Sequence, residues 1–116
     1  MGPGDVERLL AIVEAERSRS ERQLEALQLS VAAIVEGAEL TSTDDEHDPE
    51  GATIAYERAQ ATALLRQAAI DVEALTMVAE TLRSGNWPVC TVCGAEIGRE
   101  RMEALPTARR CIRCAS

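Results

Sequence analysis

Cys90-Thr91-Val92-Cys93-Gly94 and, after a return loop, Cys111-Ile112-Arg113-Cys114 form two C-x2-C pairs separated by the seventeen residues 94–110. This is the spacing of a four-thiolate zinc site. A C-x-x-C turn aims two sulfurs at one ion, Gly94 permits a tight turn after the second thiolate, and the loop brings back the other pair to complete a tetrahedron. Cys90, Cys93, Cys111 and Cys114 are therefore the expected ligands. With all four positions filled by protein the site is closed and structural, leaving no open position for metal-assisted hydrolysis. A redox dithiol pair and a rubredoxin-like iron site are the rival readings of the same cysteines. A tail this short buries too little apolar surface to fold unaided, whereas structural zinc supplies roughly 10 to 16 kcal/mol of apparent folding free energy.

Upstream of the cysteines, Ser84-Gly85-Asn86 offers a helix-terminating glycine and Trp87-Pro88 prevents continuation. Before that stop, apolar or small residues recur in steps of four and three through Ile54, Ala61, Leu65, Ala68, Val72, Leu75, Ala79 and Leu82, broken by Arg58. A matching seam runs through Val6, Leu10, Val13, Leu24, Leu27, Val31, Ile34 and Ala38, with Arg17 and Ser20 in register. Two heptad seams of nearly equal length, joined by a short polar link, predict an antiparallel hairpin. The second helix has a clear start, with Asp48 to cap, Pro49 at the first helical position and Glu50 at the positive end of the dipole. Leu9 and Ile12 on one helix, and Met77 and Val78 on the other, widen the apolar stripe at the foot. There it is expected to pack on Trp87 and the cysteine tail.

The fold class expected is thus all-α: an antiparallel two-helix coiled-coil hairpin with a small C-terminal four-cysteine zinc finger module. Its parts are a flexible start at 1–4, the hairpin at 5–86 with an acidic tip at 41–51, and the zinc module at 87–116. A coiled-coil oligomer serving only as a spacer is the competing architecture, but equal helix lengths favour an intramolecular pairing and a monomer.

The 116 residues carry twenty acidic and twelve basic side chains, a formal charge of -8. That balance opposes direct DNA binding by the whole chain. Tyr56 and Trp87 are the only aromatic residues, too few for a core built on large rings. No apolar run is long enough to span a membrane and no leader pattern opens the chain, so a cytoplasmic location is expected. No nucleophile-base pair is visible, which argues against an enzyme. The module is locally basic, with Arg99, Arg101, Arg109, Arg110 and Arg113, and this keeps a zinc-ribbon nucleic-acid binder as an alternative, alongside a zinc-stabilised coiled-coil adaptor.

Cys93-Gly94, Ile97-Gly98, Arg101-Met102, Ala104, Pro106-Thr107-Ala108 and Cys111-Ile112-x-Cys114 together resemble the DksA/TraR family. The hairpin agrees with that family in pattern. The resemblance implies a noncatalytic bacterial transcription factor that binds RNA polymerase. It further implies that the coiled coil enters the secondary channel, that acidic tip residues approach the catalytic centre, and that the zinc module braces the base. The tip candidates are Asp44, Asp45, Asp48 and Glu50, within Asp44-Asp45-Glu46-His47-Asp48-Pro49-Glu50. This stretch departs from the family's Asp-x-x-Asp-x-Ala pattern. Longer members of the family continue into a C-terminal helix that contributes to docking and to ppGpp response, so the resemblance is not extended here to ppGpp binding.

Overall fold

The computed structural model describes residues 2–40 and 49–115, and of residues 3, 38–40, 49 and 50 the backbone alone. Helix α1 spans Pro3–Leu40, α2 spans Pro49–Arg83, and a short α3 spans Arg99–Ala104. Among the described residues the one β feature is an isolated antiparallel bridge between Val89 and Glu96. The all-α hairpin read from the heptads is therefore the fold observed. Helix α1 takes in Pro3 and Gly4, which the sequence boundaries leave outside the hairpin. Proline is favoured in the first turn, and Asp5, also in that turn, accepts a hydrogen bond from the Gly2 amide at 3.3 Å.

The chain divides into two compact units, one made of Met1–Arg19 with Asp71–Ser116 and one of Ser20–Ile70. The feet of both long helices thus belong with the zinc module, across the sequence boundary at 86 and 87.

In the first unit one core joins all its parts. Leu9 and Val13 from α1, Leu75, Ala79 and Leu82 from α2, and Trp87, Ile97, Met102 and Ala108 from the module are buried together, with Cys90 and Cys111 among them. The centre of the α1 face is Leu9 and Val13, while Val6 and Leu10 pack at its edge. Val78 also packs at the edge. Met77 does not: it is 55% exposed, against the expectation that it widens the buried face. Beside this core, the Arg83 guanidinium donates to the Glu14 carboxylate, an ion pair between the two helices.

Helix α2 ends as its sequence predicts. Gly85 has φ +81, its amide donates to Leu82 O at 2.9 Å, and the Asn86 amide donates to Thr81 O at 3.1 Å. This pair of bonds is a Schellman cap, in which only a residue tolerant of positive φ turns the chain out of the helix.

In the second unit the seam is visible as alternating burial. Leu24, Leu27, Val31 and Ile34 are half-buried on α1, and Ile54, Ala61 and Leu65 are half-buried on α2, with Ser20 and Ala68 buried. Arg58, in the same register, is exposed. Among the described residues no helix is long and apolar enough to cross a membrane.

Candidate metal centre

The Trp87 indole starts the module. Its ring lies in the shared core and its Nε1–H donates to Ile97 O at 2.6 Å, while the Ile97 amide donates to Pro88 O at 3.0 Å. These bonds fold residues 87–97 into a tight reversal whose turn is the first cysteine pair. Within it the Cys90 amide donates to Ala95 O at 2.8 Å and the Gly94 amide to Cys90 O at 2.9 Å, with Gly94 at φ +75. The Val92 amide points at Cys90 Sγ, 3.4 Å away. The second pair has a similar turn, closed by the Cys114 amide on Cys111 O at 3.0 Å.

Two side chains hold the second pair against the first. Thr91 donates both its amide and its hydroxyl to Arg109 O, at 2.9 and 3.1 Å, and Arg101 Nε donates to Arg110 O at 2.8 Å. The acceptors are the two residues that lead into Cys111. Neither Thr91 nor Arg101 is marked by spacing or residue type as a positioning group, and no sequence signal identifies this role. Helix α3 lies between the pairs and anchors them through fully buried Met102.

The result is one cluster. The sulfurs of Cys90, Cys93, Cys111 and Cys114 all lie within 4.8 Å of one another, and Cys93 Sγ is 3.7 Å from Cys111 Sγ. A disulfide requires ~2.0 Å. A tetrahedral zinc with Zn–S bonds of ~2.3 Å requires sulfur separations of ~3.8 Å. The observed separation fits the second geometry.

The electrostatics agree. The backbone amides of Cys111 and Cys93 bring the Cys90 thiol down to about 6. At Cys111 burial pushes upward, but the amides of Cys114 and Arg113 and the neighbouring thiols carry it net downward. Hydrogen bonding to Cys111, then burial, pushes Cys114 up to about 12. Four sulfurs this close cannot all ionise without a counter-charge. A divalent cation bound by thiolates supplies that charge. The donor set, soft and all-sulfur, suits zinc.

The tip candidates are placed less fully. Asp44, Asp45 and Asp48 lie outside the described residues, and Glu50 is described by its α2 backbone alone.

Comparison with known proteins sharpens the reading. Residues 83–116 match the family model of the prokaryotic dksA/traR C4-type zinc finger. The whole fold is similar to the solved structure of transcription factor DksA2 from Pseudomonas aeruginosa, with a TM-score of 0.75 at 18% sequence identity, covering 95% of this chain and 79% of that one. No curated protein sequence matches the chain. The resemblance carried by residues 90–115 and the hairpin fold are both borne out, and zinc is the metal that this cysteine cluster is built to take.

Proposed function

We propose that the protein is a noncatalytic transcription regulator that binds bacterial RNA polymerase through its secondary channel, one copy at a time, in the cytoplasm. The observation that carries this reading is the pairing of a dksA/traR-type zinc finger with a hairpin fold shared with a transcription factor. In this reading Cys90, Cys93, Cys111 and Cys114 hold one zinc that sets the foot of the hairpin. Asp44, Asp45, Asp48 and Glu50 bring negative charge to the polymerase catalytic centre. Carboxylates grouped at a helix-hairpin tip repel one another and gain most beside a cation or a basic surface, both of which a polymerase centre offers. The protein itself changes no covalent bond. It alters the stability of promoter complexes through differential binding. The formal charge of -8 supports contact with polymerase rather than with DNA.

Transcription in vitro with purified polymerase tests this directly. Wild type should associate with polymerase and change initiation, while Asp45→Ala plus Asp48→Ala should still associate and lose the effect. Absence of any association by the wild type overturns the reading. Circular dichroism of both proteins separates a tip effect from a lost helix cap, since Asp48 as a cap is worth about 0.5–2 kcal/mol.

A further inference from the structure

The two halves of the cysteine cluster are held in different ways. The first half, residues 87–97, closes on itself: the Ile97 amide returns to Pro88 O, the Cys90 amide to Ala95 O, and an antiparallel bridge pairs Val89 with Glu96. Trp87, Cys90 and Ile97 are buried in the core shared with the helix feet. The second half, residues 109–115, has one backbone bond of its own, from the Cys114 amide to Cys111 O. Arg113 and Ala115 are exposed, and Ile112 is 76% exposed. A segment with so little burial and so few bonds sits at the low end of local stability once its sulfurs let go.

Apart from contacts with sulfur, three hydrogen bonds among the described residues tie 109–115 to the rest of the module. Two come from Thr91, whose amide and hydroxyl both donate to Arg109 O, and one from Arg101 Nε, which donates to Arg110 O at 2.8 Å. The Thr91 hydroxyl bond is longer, 3.1 Å, and belongs to an exposed residue. The Arg101 bond has a cationic donor, the stronger kind. It also springs from a fixed base, because the next residue is Met102, whose fully buried side chain pins α3. Arg101 and Cys111 line one open cleft of about 570 Å³. The side of the second pair that Arg101 ties down therefore opens to solvent.

We infer that Arg101 is a positioning residue for the metal, a latch whose bond to Arg110 O keeps Cys111 and Cys114 on the ion, and that metal leaves this chain by detachment of residues 109–115. When the latch opens, the second pair moves away while Cys90 and Cys93 stay seated in the first half. An acceptor with nitrogen or sulfur donors then replaces Cys111 and Cys114 on the ion, and the freed thiolates take protons from water. Groups that orient metal ligands without touching the metal change its retention by factors of about 10 to 100. The latch depends on where Nε points, so lysine, which keeps the charge on a flexible stem, does not replace it.

Transfer of zinc from the loaded full chain to excess pyridylazoresorcinol, followed by absorbance, tests the proposal. Arg101→Gln should speed release about tenfold or more, and Arg101→Lys should do the same. Arg109→Gln is the control: Arg109 contributes its backbone carbonyl alone, so this change removes a neighbouring charge but no bond and should leave the rate as in wild type. Thr91→Val drops only the longer hydroxyl bond and should speed release about threefold, which keeps the test open if the Arg101 variants do not fold. Cobalt-loaded variants should retain the tetrahedral thiolate absorption of wild type, since no ligand has changed. In zinc-loaded Arg101→Gln, amide exchange read by NMR should quicken at Cys114 and stay at the wild-type rate at Cys90 and Ile97. Wild-type release rates in both Arg101→Gln and Thr91→Val overturn the proposal. So does wild-type behaviour of Arg101→Lys, which would make the effect one of charge, or loss of protection at Cys90 and Ile97 together with Cys114, which would make it a general loosening of the foot.

Discussion

Two glycines and one indole carry much of the local design. Gly85 and Gly94 both sit at positive φ, and a Cβ at either would meet no atom within 4 Å, so the cost of a side chain there is backbone strain alone. Gly85→Ala and Gly94→Ala should each destabilise the zinc-loaded chain by about 1 kcal/mol in chemical denaturation. Gly98→Ala is the control. It has equal space at φ -55 and should change stability little. Trp87 differs in kind, because its contribution is a buried hydrogen bond as well as a ring. Trp87→Phe keeps most of the ring but leaves Ile97 O without its donor, a loss of about 1–3 kcal/mol by the same measurement. The glycine roles are legible in the sequence, since each follows a helix end or a cysteine turn. The acceptor of the indole is not, because Ile97 reaches it only through the path of the intervening loop.

At the scale of elements, the two long helices were readable because their seam repeats over many turns, and the half-buried Leu24, Leu27, Val31 and Ile34 follow it residue by residue. The foot was less so. There α1 packs against the module as well as α2, which turns its buried face toward Leu9. Met77 falls seven residues after exposed Ile70, on the row facing away from the seam, and follows that row outward. Element junctions also depend on pairs that no periodicity announces. Arg99, at the start of α3, donates to Asp5, in the first turn of α1, at 3.3 Å. That bond holds the Asp5 carboxyl below its ordinary range. A carboxylate with a depressed value stabilises the fold fully above the unfolded value and loses this contribution as pH falls through the folded one, so at neutrality the contribution is complete. At pH 7, Asp5→Asn and Arg99→Gln should each lower the midpoint of unfolding. The double variant should fall short of the sum, a coupling read by a double-mutant cycle.

At the scale of the molecule, the foot of the hairpin and the metal module share one core, with Cys90 and Cys111 buried beside Leu9, Val13, Leu75 and Leu82. The cysteine spacing disclosed the metal cluster, and the stops at Gly85 and Pro88 disclosed where α2 ends. The sharing of the core was suggested only by the widened stripe, since which helix residues meet which loop residues is set by tertiary packing. One consequence is that the zinc stabilises more than its own loops. Chelation should unfold the module and release the helix feet with it, because removing the ion removes the counter-charge that lets four sulfurs stay together. The measurement closest to this claim is hydrogen exchange of the full chain, followed by mass spectrometry, before and after removal of one equivalent of zinc. Protection should be lost together in residues 6–19, 71–83 and 87–115. Retained protection in the helix feet while the module alone exchanges, or no change anywhere, would contradict the account.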